Sequence, residues 1–478
     1  MLALDTAQAR GASYADVRII RSLNEFIYVK NQKVGHIHHA EDLGFGVRVL
    51  ANGAWGYACS GRLDRAEVET VAARAVEIAQ ASASLKQQDV VLAPEPPHVA
   101  VWERPVAKDP FAVGLNEKVS LLLDCNQEML KVSQVRVAEG IMDFGREEQL
   151  FASTEGSLIQ QDLTQTGAGY WCTAVGEDDT QRRSYPMAFS GPYTGRGYEL
   201  VEELELLGHA QQTAEQAAAL LTAPQCESGV KDIIIGGSQL CLQIHESVGH
   251  PLELDRVLGT EANYAGTSFV TTDKLRQLRY GSEQVTIMAD TTLPGGLATV
   301  AYDDEGVQAQ RWPLIERGLF VGYLTSRETA PAIGESRSRG AMRADGWRRV
   351  PLVRMTNISL MPGDWTLEAL IEDTKDGLYI DHTKSFSIDQ RRVNFQFGTE
   401  IGWEVKNGKR TRLVKNPTYQ GITTQFWGSC DAVCNQDHWV PWGVNNCGKG
   451  EPGQSAQMSH GTAPARFRQV KVGVAYAD

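Results

Sequence analysis

Between residues 14 and 60 apolar and polar positions alternate in short runs, Val17-Arg18-Ile19-Ile20, Glu25-Phe26-Ile27-Tyr28-Val29, Gly44-Phe45-Gly46-Val47-Arg48-Val49 and Trp55-Gly56-Tyr57-Ala58, divided by polar turns that include Asn52-Gly53. A period near two with such punctuation predicts an antiparallel meander. After Asp64 the spacing becomes helical, with Val68, Val71, Ala72, Ala75 and Ile78 recurring on one side and Asp64 placed to cap a helix over 65–82. A connector bearing Pro94, Pro96, Pro97, Pro105 and Pro110 follows, then a second helix near 115–132, strands over 135–175 and a third helix near 199–221. Ala223-Pro224-Gln225 reads as a domain boundary.

The second half opens on the apolar strand Val230-Lys231-Asp232-Ile233-Ile234-Ile235-Gly236-Gly237, which feeds a helix from near Ser238. Later runs at Gln284–Ala289, Leu319–Leu324 and Arg392–Phe397 are strand-like, and a mostly β domain of this kind closes into a barrel or folded sheet. The expected fold is α+β. Residues 1–223 form an N-terminal antiparallel sheet with helices, and residues 224–478 a mostly β, barrel-like domain carrying the helix after Gly237.

That helix carries His245-Glu246-Ser247-Val248-Gly249-His250. Two imidazoles around a carboxylate supply two nitrogen ligands for zinc and a general base for its water. The familiar zincin spacing of four returns both histidines to one helix face, whereas a spacing of five turns the second by more than roughly 100° on a regular helix. Chelation by both therefore requires a kinked or ending helix. Gly249 is suited to release the backbone through a wide turn, and Pro251 prevents regular continuation. The plainer reading is a pair of satisfied polar residues in an ordinary helix. With 10 histidines in 478 residues, such a motif arises by composition with a chance of about 1%, which favours the metal.

A third ligand is available in Cys447, within the Gly-rich stretch Asn446–Ser455 and beside Lys449, a cation that would favour thiolate. With His245 and His250 it leaves a fourth tetrahedral position for water. A rival set is Cys430, Cys434 and His438, which with Cys447 could close a structural site; the plainer reading of Cys430 and Cys434 is buried, reduced thiols.

Composition narrows the function. Hydrophobic residues at 42% and charged residues at 22% describe an ordinary globular chain. A net charge of −13 argues against sequence-independent nucleic-acid binding, which draws on Lys and Arg. The opening residues lack a basic n-region and an apolar h-region, and no apolar run reaches about 18 residues, so a soluble cytoplasmic protein with no membrane partner is expected. Eight scattered cysteines do not resemble a disulfide framework. His36, His38 and His39 read as surface histidines, Asp303-Asp304-Glu305 as a turn beside the active cavity, and Arg337, Arg339, Arg343, Arg348 and Arg349 as solvated loop or, more sharply, as a clamp for a peptide C-terminus or an acidic substrate.

His245–His250 with Pro251-Leu252-Glu253-Leu254-Asp255, Tyr302–Gly306, Arg354-Met355-Thr356-Asn357 and Cys447-Gly448-Lys449 together resemble the TldD subfamily of the TldD/PmbA metalloproteases, once called modulators of DNA gyrase. Tyr14–Arg18, Gly44–Leu50 and Gly53–Tyr57 resemble that family's opening segment. Pro251, where a small residue is usual, and the aromatic, Cys-rich stretch from Trp427 to Trp442 depart from the pattern. The resemblance implies zinc held by His245, His250 and Cys447, Glu246 as base, and unfolded peptides as substrate. It also implies a hollow dimer, either with a PmbA/TldE-like subunit lacking the histidine motif or with a second copy. The competing classes are a scaffold subunit with a closed structural metal and a zinc amidase acting on small molecules.

Overall fold

The computed structural model describes residues 1–188 and 191–473. Helix α1 (Leu2–Ala9) leads into β1 (Tyr14–Lys30), β2 (Lys33–Ala51) and β3 (Ala54–Ser60), followed by α2 (Arg65–Ser82), β4 (Val99–Glu103), α3 (Leu115–Leu130), β5 (Val135–Ser153), β6 (Leu158–Val175), α4 (Glu199–Glu203) and α5 (Leu206–Thr222). The strands lie in the order β3-β2-β1-β5-β6-β4 within an eight-stranded sheet, completed by Thr180–Tyr185 and Tyr193–Thr194 on β6. The expected meander is there, with the two apolar runs before residue 30 fused into the single strand β1.

Asp64 accepts the Glu67 N–H at 2.9 Å and so caps α2 as its position predicts. Val71, Ala72, Ala75 and Val76 then pack on Val47 and Val49, while Leu122 and Met129 of α3 and Ala210 and Ala214 of α5 cover Phe144 and Tyr170. Both helical layers sit on one sheet face. The opposite face takes the alternate residues to the C-terminal half, where buried Arg48 pairs with Asp16 at 2.6 Å and with Glu305 at 3.1 Å. Two local expectations differ. The helix near 199–221 is broken at Glu205, whose left-handed φ of 45° separates α4 from α5, and the proline-rich connector contains β4, an edge strand parallel to β6.

In the C-terminal half, β7 (Gly229–Ile235) feeds α6 (Gly237–Ile244), and β8 (Asp376–Ile388), β9 (Asn394–Lys406), β10 (Thr418–Ile422), β11 (Val440–Lys449), β12 (Gln454–Thr462) and β13 (Ala465–Val472) follow. Strands β8-β7-β13-β10-β9 close on themselves through β8–β9 pairing, giving a five-stranded barrel in which only β7 and β8 are parallel. Ile233 and Ile235, Leu240 and Ile244 of α6, and Phe395, Phe397, Tyr419, Trp427 and Phe467 form its core. The β11–β12 hairpin flanks α6. The expected 319–324 strand shrinks to Leu319–Phe320. Among the described residues no helix is long and apolar enough to cross a membrane.

Candidate metal centre

Helix α6 starts against β8: Asp381 accepts the Gln239 N–H at 3.3 Å and the Ser238 hydroxyl at 2.7 Å. A Cβ on Gly236 would lie 2.2 Å from Asp381 Cγ, so glycine is required for that approach. At Ile244 the α-helix gives way to a π turn over His245–Gly249, closed by the His250 N–H on the His245 carbonyl, and then to a 3-10 turn over His250–Leu252. An i→i+5 turn is wider than an α turn and stacks residues five apart. The two imidazoles consequently meet, with ring centroids 5.0 Å apart.

Backbone groups loosened by the wide turn find side chains. The Ser247 hydroxyl donates to the Gln243 carbonyl at 2.5 Å and accepts from Trp427 Nε1 at 2.9 Å, while the Tyr280 hydroxyl donates to the Ser247 carbonyl. Gly249 acts differently from the sequence expectation. Its φ of −59° is open to any residue; what excludes a side chain is Met355, whose Sδ would lie 2.0 Å from an added Cβ.

His245, His250 and Cys447 place one ligand atom each within 4.8 Å of one another, all three residues buried. Their partners fix which atoms are available. His460 Nδ1 donates to the Ile358 carbonyl at 3.0 Å, which leaves His460 Nε2 to accept from His245 Nδ1 at 2.9 Å. His250 Nδ1 donates to Glu253 Oε2 at 2.9 Å. Both histidines thus keep an Nε2 lone pair, and that of His250 is 3.5 Å from Cys447 Sγ.

Burial, then neighbouring positive groups, holds both imidazoles well below their usual pKa, and burial pushes the Cys447 thiol to about 12. A buried set of neutral imidazoles and a thiol suits a divalent cation, which deprotonates the thiol it binds. Arg354 brings positive charge to that thiol and also donates to the Cys447 carbonyl and, at 3.1 Å, to the Gln454 carbonyl. Lys449, expected beside the thiolate, instead sends its fully buried Nζ to Asp255 at 2.7 Å and to Glu253 at 3.5 Å. It neutralises the carboxylate that orients His250.

Glu246 lies next to this cluster in direct ion pair with Arg392, and burial raises its pKa against that charge. A cavity of about 550 Å³ opens onto His245, Glu246, His250 and Cys447 between β8 residues from Thr383 to Ile388 and β11 residues from Gly443 to Gly448.

Over residues 228–474 the chain matches the sequence profile described as PmbA/TldA metallopeptidase C-terminal domain, over 15–79 the profile of domain 1, and over 108–221 that of the central domain. The chain belongs to the PmbA/TldD metallopeptidase family. It is 30% identical over 450 residues to a metalloprotease of Methanocaldococcus jannaschii, with 94% of each chain covered. It is 24% identical to a zinc metalloprotease TldD homolog of Saccharolobus solfataricus, with 98% of each covered. TldE from Thermococcus kodakarensis shares the fold, with a TM-score of 0.73 at 15% identity over 98% of this chain and 99% of that one.

Other residues singled out from the sequence lie elsewhere in this PmbA/TldD chain. Cys430 and Cys434 are buried in separate core clusters, and His438 accepts the Leu367 N–H at 3.2 Å. His36, His38 and His39 lie on β2. Asp303 accepts three backbone N–H groups, from Glu305, Val307 and Met342, and so shapes the turn, while Asp304 and Glu305 reach Gln149 and Arg48 of the N-terminal half, so the turn serves the seam and not the cavity at His245 and His250. Arg337, Arg339 and Arg348 pair with Glu95, Glu335 and Asp42. Glu253 and Arg354 carry no site role in the sequence reading beyond the stretches that bear the resemblance, and Arg392 and His460 carry none; Glu253, three residues after His250 and so on the adjoining turn, has a local signal.

Proposed function

We propose that the chain is a zinc-dependent metallopeptidase hydrolysing peptide bonds of unfolded or extended peptides, with His245, His250 and Cys447 as metal ligands and Glu246 as general base. The observation that carries this reading is a buried carboxylate beside three convergent buried donors, all opening on one cavity. Three protein ligands leave a coordination position for water, where a structural site would close with four. Bound there, zinc supplies a water of lowered pKa and polarises a carbonyl.

Glu246 takes one proton from the water as the water oxygen bonds to the scissile carbonyl carbon and the carbonyl π pair moves onto its oxygen. When the C–N bond then breaks, Glu246 returns that proton to the leaving nitrogen, giving a carboxylic acid and an amine. Glu253 and His460 hold the two imidazoles in the tautomers that leave Nε2 free. Extended backbone on both sides of the cavity, from β8 and β11, favours a substrate read through its main chain, which a folded protein does not present. A sequence-tolerant site of this kind in the cytoplasm needs enclosure, and we take that enclosure to be a dimer with a PmbA/TldE-like subunit or with a second copy. We place the domain division after residue 223. The test is chelation: stripping metal should abolish cleavage of an unfolded casein and added zinc should restore it, with folded proteins spared, whereas cleavage indifferent to chelation would contradict the reading.

A further inference from the structure

Within the cavity that holds the cluster, Arg392 is the one Lys or Arg among the described lining residues. It lies in the turn from β8 to β9 with a left-handed φ of 66°, a conformation that long side chains rarely adopt. The turn is built to keep it there. Asp389 accepts the N–H groups of Arg391 at 2.8 Å and Val393 at 3.3 Å and also that of Asn394, the Arg392 N–H donates to the Asp389 carbonyl at 2.9 Å, and the Arg392 carbonyl accepts from the Thr423 hydroxyl at 2.7 Å. Backbone strain retained by surrounding bonds is a mark of functional positions.

The side chain is mostly enclosed, 13% exposed against 8% for Glu246, with which it pairs through Nη1. Its Nε–H is buried and has no hydrogen-bond partner among the described residues. A guanidinium offers five N–H donors in a rigid fork, and an unmet buried donor carries a desolvation penalty until an acceptor arrives. It shares that cavity with His245, His250 and Cys447.

We infer that Arg392 is a further catalytic residue, donating from its guanidinium to the carbonyl oxygen of the scissile amide as negative charge builds there. The inference rests on the peptidase reading of the same cavity. Hydrolysis moves one negative charge a short way: Glu246 begins as carboxylate and becomes neutral by taking the water proton, while the carbonyl oxygen becomes anionic. A cation beside both atoms keeps an anionic partner throughout. Its bond to Glu246 weakens as its bond to the new oxyanion forms, and on collapse, when Glu246 gives up the proton, the pair re-forms. Such a donor is preorganised for charge that develops only in the transition state.

The test uses the full-length chain, purified with any subunit that accompanies it and loaded with zinc, assayed on an unfolded peptide bearing either a free or an amidated C-terminus. Arg392→Gln should retain full zinc and an unchanged circular dichroism spectrum, with kcat lower by about 10²–10³-fold, as for other single oxyanion donors, and KM within about threefold. The loss should be equal for both peptides. Arg392→Lys, which keeps the charge without the fork, should recover part of kcat. Wild-type kcat in Arg392→Gln would overturn this inference alone, as would a defect confined to KM for the free-carboxylate peptide, which would make Arg392 a C-terminus clamp. A zinc-loaded wild type that cleaves nothing would overturn the peptidase reading and this inference with it.

Discussion

Cys447 reaches the two histidines because its hairpin is held from both ends by buried cations: Arg354 donates to carbonyls on β11 and just at the start of β12, and Lys449 crosses to the acid pair that backs His250. The three proposed ligands are thus linked by more than proximity. Cys447→Ser should lower zinc stoichiometry and cleavage together, while Cys430→Ser and Cys434→Ser, in separate packed clusters, should leave both near wild type; metal analysis of the three variants decides, and full zinc in Cys447→Ser would refute the assignment. Glu253→Gln keeps an acceptor for His250 Nδ1 but removes the charge. Its zinc affinity, measured by chelator competition, should fall by roughly 10–100-fold, the usual worth of such an outer partner, and an unchanged affinity would mean that Glu253 only fills space.

The π turn is the element on which the centre depends, because it converts a spacing of five into a shared face. Gly249→Ala would drive a methyl into Met355, overpacking the turn at a cost of about 1–3 kcal/mol and displacing His250. Zinc affinity should drop in Gly249→Ala and return in part when Met355→Ala is added; if the single variant binds zinc as wild type does, the turn has slack that the packing denies. Much at this scale is legible in the sequence, since alternation gives the meander, Asp64 announces α2, and five-residue histidine spacing next to Pro251 demands a broken helix. What is not legible comes from distant chain. Asp381 caps α6 from another strand, His460 and Arg392 arrive from segments with no periodic signal, and Met355, not backbone freedom, explains Gly249. Glu205 and β4 escape for a related reason. The left-handed break and the parallel edge strand are set by packing on β6, whereas local composition favours a continuous helix and a loop.

For the whole molecule, the seam between the halves is buried and charged, with Arg48, Asp16 and Glu305 joining β1 and β2 to the C-terminal loops, so the N-terminal sheet is fixed relative to the C-terminal half. The enclosure proposed for the site requires a second subunit. Light scattering of the purified chain, alone and with a co-expressed PmbA/TldE-like subunit, should give a dimer with a buried interface above about 2,000 Å²; a monomer that cleaves unfolded peptide fully while sparing folded protein would show that no chamber is needed. The central claim, that a buried His-His-Cys cluster and its neighbouring carboxylate constitute a peptidase centre, meets its most direct test in Glu246→Gln. Zinc content and cleavage of unfolded casein should be measured on the same preparations of wild type and variant. Both should hold one zinc per chain, with cleavage at least about 10²-fold slower in the variant, and equal cleavage by the two would contradict a peptidase role for this centre.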